Sequence, residues 1–61
     1  MERVDLIRTV EQVGCVLIQQ GGKHDWYQNP AMSITQPIPR HREINENLAR
    51  AIIRRLSAEA K

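Results

Sequence analysis

Two interruptions in the middle of this chain decide what it can become: Gly21-Gly22 and Asn29-Pro30. They cut the stretch between residues 15 and 38 into pieces too short for helices that would stand alone. Residues 15–20 are rich in Val, Leu and Ile, side chains that suit a pleated strand. The glycine pair that follows is a signal for a tight hairpin, and residues 23–29 return as a second strand carrying Trp26 and Tyr27. Pro30 closes that strand, because proline restricts the residue before it and cannot donate to a ladder. Residues 33–38 form a third strand, and Pro37 and Pro39 assign it to an edge or leave it fraying at its end.

Helical patterns flank this meander. Over residues 2–13 the apolar side chains Val4, Leu6, Ile7, Val10 and Val13 recur with helical spacing. Gly14 then stands where a left-handed terminator is wanted. Near the other end Asn45 is placed to cap a helix whose first turn carries Glu46. Leu48, Ile52 and Leu56 repeat every four residues, Ala49 and Ile53 widen the stripe, and Arg50 and Arg54 line the opposite side. Residues 57–61 read as a fraying tail. The predicted architecture is α+β in the order α-β-β-β-α, a three-stranded antiparallel sheet with both helices on one face.

Sixty-one residues make one domain, 1–61, with a small core. A chain of this size buries only roughly 60 % of its unfolded surface. Almost every apolar side chain is therefore needed for folding, which excludes a large cofactor pocket; no cofactor is expected. Any chemistry rests on a few exposed side chains. Cys15 is the only cysteine, so no internal disulfide forms, and its apolar setting predicts a small buried core residue. A zinc site would need three or four ligands, and His24, His41, Cys15 and Asp25 show no spacing that supplies one. No charged-then-apolar leader opens the sequence and its apolar runs are short, as in Val16-Leu17-Ile18. The expectation is a cytoplasmic protein without a membrane partner.

Charge is unevenly spread. Residues 1–39 carry one more acid than bases, whereas residues 40–61 carry three more bases than acids. Such a distribution is compatible with phosphate contacts. His24 is the residue of chemical interest. It leaves the Gly21-Gly22 turn, where backbone can approach a ligand closely, and histidine suits proton transfer near neutral pH. Lys23 beside it can hold a phosphate as a point charge. Pro39 extends the segment Arg40-His41-Arg42, either a solvated connection or a phosphate-binding edge beside the last helix. Strand alternation puts His24 and Trp26 on one face and Tyr27 on the other. So small a core favours Trp26 inside; the opposite phase buries Tyr27 and leaves Trp26 free to stack on a base.

These residues resemble a known family. Gly22-Lys23-His24, followed by Asp25-Trp26-Tyr27-Gln28-Asn29-Pro30, is similar to the Gly-Ser-His strand of the HicA toxins, and Pro37-Ile38-Pro39-Arg40-His41 to their Val-Pro-x-His stretch. The opening helix ending in Gly14 and the Leu48, Ile52, Leu56 register match as well. The resemblance implies a fold like that of double-stranded-RNA-binding domains. It also implies a ribosome-independent toxin that cleaves mRNA and is neutralised by a HicB-type antitoxin. One well-placed imidazole with cationic help can supply much of that cleavage without metal, so a metal-independent endoribonuclease is the expectation. The family's catalytic histidine falls on His24, with Lys23, Arg40, His41 and Arg42 expected to bind RNA. One departure is plain: Lys23 stands where the family has serine. Two rival readings are a non-catalytic RNA-binding module of the same fold and a small protein-interaction domain with a basic surface.

Overall fold

The computed structural model describes residues 1–57, so the tail expected at residues 57–61 lies, apart from Ser57, outside the described residues. The element order is α1 (Arg3–Val13), β1 (Val16–Gln20), β2 (His24–Asn29), β3 (Ile34–Pro39) and α2 (Glu46–Ser57). This is the expected α-β-β-β-α arrangement. The strands form one antiparallel sheet in the order β1-β2-β3. α2 packs on β3 and β2, and α1 packs along α2.

Each boundary has a local cause. Gly14 adopts φ +109°, which lets its N–H donate to the Glu11 carbonyl at 3.0 Å and the Cys15 N–H reach back to that of Val10, also at 3.0 Å. That pair of bonds is a Schellman closure, and it turns the chain from α1 into β1. At the start of α2, Asn45 Oδ1 accepts from the N–H groups of Asn47 and Leu48 at 2.8 and 3.2 Å, satisfying two donors the helix cannot satisfy itself. The connection before α2 is tied to the start of α1: Arg3 N–H donates to the Arg42 carbonyl and Ile44 N–H to the Met1 carbonyl, each at 2.8 Å.

The core comprises Leu6, Val10, Cys15, Tyr27, Ile38, Ile44, Ala49, Ile52 and Leu56. Cys15 is buried as expected, and burial pushes its thiol above the ordinary range. Three expectations are corrected. Leu48 is exposed, because the buried stripe of α2 runs through Ala49, Ile52 and Leu56. The apolar side chains of β1 are all exposed, because the helices lie over β2 and β3 and leave β1 uncovered. Trp26 points away from the helices while Tyr27 lies beneath them, 6 % exposed. The last reversal has a polar cause. Asp25, Tyr27 and Asn29 share the buried face of β2. Asn29 Nδ2 donates to the Leu56 carbonyl at 2.7 Å, closing the end of α2, and Asp25 pairs with two arginines. Two well-partnered polar groups fix the phase of the strand, and the indole follows on the other side.

The prolines of β3 fit an edge strand. Pro37 and Pro39 stand opposite Trp26 and His24. Arg40 N–H donates to the Lys23 carbonyl at 3.2 Å, which sets the hydrogen-bonded pairs one residue out of phase with both prolines. Their missing donors therefore fall on the outer edge of the sheet.

Candidate active site

The turn between β1 and β2 spans Gly21, Gly22 and Lys23. Neither glycine takes a positive φ, so this is not the mirror-image turn that a glycine pair usually announces. What Gly21 supplies is space. A Cβ there would sit 2.8 Å from the backbone oxygen of His24, the same atom that accepts the Gly21 N–H at 2.8 Å. A Cβ at Gly22 would meet nothing within 4 Å. The turn can close tightly onto His24 only with glycine at position 21.

His24 opens β2 and is exposed on the sheet face that the helices do not cover, with Trp26 and Gln28 following it on that face. Gly22, Lys23, Arg40 and His41 line one shallow depression at this end of the sheet. The structure thus brings together three of the four residues expected to bind RNA. Arg42 goes elsewhere, lining a separate groove with Glu2, Arg3, Val4 and Ile7.

Beneath this corner lies an arrangement that inspection of sequence motifs passed over. Asp25 Oδ2 accepts from Arg3 Nη2 at 2.6 Å, and Oδ1 accepts from Arg40 Nε and Nη2 at 2.9 and 2.7 Å. Arg3 Nε donates onward to the Pro39 carbonyl at 2.8 Å. The Arg40 guanidinium, with Arg3 beside it, holds the Asp25 carboxyl below the usual carboxylate range despite its partial burial. Two cations and one anion leave the cluster with a single net positive charge. Arg3, Asp25 and Arg40 so join the first turn of α1, the start of β2 and the residue just after β3 into one unit behind His24. The readable signal was parity: an acid on the same strand face as a core tyrosine requires a cationic partner.

Among the described residues no group of three or more His, Cys, Asp or Glu side chains is arranged to hold a metal ion. No helix among them is long and apolar enough to cross a membrane.

The family model for the HicA toxin of bacterial toxin–antitoxin systems matches residues 4–57, nearly the whole chain. No curated protein and no solved structure matches.

Proposed function

This chain belongs to the HicA toxin family and is the toxin of a toxin–antitoxin pair with a cognate antitoxin; from that premise we propose that it is an endoribonuclease acting on mRNA, ribosome- and metal-independent, with His24 as the group that moves protons. The observation carrying this reading is the exposed imidazole of His24 at a turn held tight by Gly21, beside the depression that gathers Lys23, Arg40 and His41.

The chemistry this corner supports is internal transesterification. A 2′-hydroxyl loses its proton to a base and its oxygen attacks the adjacent phosphorus. The bond to the 5′-oxygen breaks, and that oxygen takes up a proton. The products are a 2′,3′-cyclic phosphate and a 5′-hydroxyl, with no water consumed. His24 accepts or donates one of these protons. Lys23 and Arg40 face the charge that builds on the phosphoryl oxygens, where preformed cations act most strongly. Arg40 enters this role already oriented, since Asp25 engages its Nε and Nη2 and, among the described residues, leaves Nη1 unengaged. The HicB-type antitoxin is proposed to neutralise the toxin by covering this corner.

The test is incubation of the purified chain with labelled mRNA in EDTA, beside His24→Ala. Cleavage by the parent and a loss of about 100- to 10,000-fold in the variant is the expected result. Undiminished cleavage by His24→Ala overturns it. Lys23 in the place of the family serine favours one second reading, a toxin that holds RNA without cutting it. RNA binding with no products from either protein would establish that reading instead.

A further inference from the structure

We infer that the outer face of the sheet is a stacking platform for single-stranded RNA, on which one unpaired base lies against Trp26 next to His24. This rests on the RNA-directed reading above and adds the form of the substrate and a second contact for it.

The register determines the composition of this face. His24, Trp26 and Gln28 project from the central strand, opposite Pro39, Pro37 and Thr35 on β3, with Gln19 and Val16 opposite Trp26 and Gln28 on β1. Both helices pack on the other side, so none of the described elements covers it. Trp26 lies at its middle, 37 % exposed. Leaving the largest side chain outside so small a core forfeits burial that folding would use.

Charge selects the occupant. Among the described residues of the three strands no carboxylate projects from this face, because Asp25 is turned under the helices by its two arginines. The end of the face nearest His24 is bordered by Lys23, Arg40 and His41. An acid-free surface with a cationic border admits a polyanion and disfavours an acidic peptide less than a basic one. Gln19, Gln28 and Thr35 add donors and acceptors suited to base edges among the apolar Val16, Pro37 and Pro39 of the same face. An indole flanked by such groups binds bases through their π-faces, with little dependence on sequence.

Geometry links the platform to the reaction corner. His24 and Trp26 are two residues apart on one strand, about 7 Å along its axis. A Cβ at Gly21 would lie 4.0 Å from Trp26 Nε1, so the indole leans towards the turn that presents Lys23 and His24. A base on Trp26 thereby brings its own backbone to the imidazole. Duplex RNA hides its base faces in the stack and cannot use this contact, so the platform selects unpaired strands.

Trp26 is the only tryptophan, so its fluorescence reports this residue alone. The His24→Ala chain is titrated with an unstructured RNA oligonucleotide and with the same oligonucleotide annealed to its complement. The single strand is expected to quench the emission and the duplex to leave it unchanged. Adding Trp26→Ala should weaken single-strand affinity about 5- to 150-fold, and Trp26→Phe should restore most of it. Circular dichroism checks that both variants keep the fold. Equal affinity of the Trp26→Ala chain and its parent, or binding without quenching, overturns the platform. With intact cleavage by a Trp26→Ala chain that retains His24, that result leaves the nuclease reading standing. Quenching and lost affinity in a protein that cleaves nothing uphold the platform and remove the nuclease. Absence of any RNA binding removes both and assigns the face to a protein partner.

Discussion

Arg40 donates from Nε and Nη2 to a single oxygen of Asp25, at 2.9 and 2.7 Å, while Arg3 takes the other oxygen. The guanidinium is thus anchored by an acid pointing towards the helices and lies at the border of the depression shared with Lys23 and His41. Anchoring fixes the direction of a long side chain before any ligand arrives, which lowers the entropy that binding must spend.

Acid stability should expose this anchor. The folded-state pKa of Asp25 lies below its ordinary value, with the hydrogen bonds from Arg40 as the main cause. A group so shifted stabilises the fold above its unfolded pKa of about 4, and the contribution is lost as pH falls through the lower folded value. Melting temperature measured between neutral pH and about pH 2 should therefore fall for the parent through this acid window. Asp25→Asn should lie lower near neutral pH and lose part of that dependence. Parallel curves would show that Asp25 is not the titrating anchor.

Salt dependence should separate the cations. A contact between Lys23 and a phosphate contributes about 0.7 to the slope of log affinity against log salt for a single strand. Lys23→Ala is expected to remove about that much. Arg42→Ala, in the groove beside α1, should remove much less. Equal slopes for the two variants would contradict the division of the basic segment drawn from the structure.

The two turn glycines should behave differently. Gly21→Ala pushes a Cβ against the backbone oxygen of His24 and should cost about 1–3 kcal/mol in urea unfolding, with RNA cleavage falling as the turn shifts. Gly22→Ala meets open space and should be neutral or gain a few tenths of a kcal/mol by restricting the unfolded chain. Equal effects would show that the turn is not limited by contact at Gly21.

Leucines eight residues apart on α2 provide the sharpest contrast in stability. Leu56 is fully buried and Leu56→Ala should cost about 2–5 kcal/mol, whereas Leu48 is 43 % exposed and Leu48→Ala should stay within about 0.5 kcal/mol. Chemical denaturation of both variants decides the point.

That contrast also marks how far the sequence could be read. Leu48, Ile52 and Leu56 satisfy a four-residue repeat equally well, and periodicity alone does not say where a stripe leaves the core. The element order was legible because Gly14, Gly21-Gly22, Asn29-Pro30 and Asn45 each impose a local constraint with one dominant outcome. The phase of β2 was not. Trp26 and Tyr27 compete for the core with similar apolar gains, and the decision lies with Asp25 and Asn29, whose partners Arg3, Arg40 and the Leu56 carbonyl are remote in the chain. His24 stood out by type and by its turn, and Lys23 with it. The gathering of Arg40 and His41 beside Lys23, without Arg42, depends on the pairing of β2 with β3 and is a property of the folded sheet.

The phase of the prolines in β3 has its own consequence. Of the three β3 residues whose amides face away from β2, only Thr35 has a hydrogen to offer, since Pro37 and Pro39 have none. The outer border of β3 is therefore a poor template for a further strand. β1 keeps its outward donors, interrupted by an irregularity between Leu17 and Gln19. Should another chain extend this sheet, it has one side on which to do so, and the sheet can grow in that direction only.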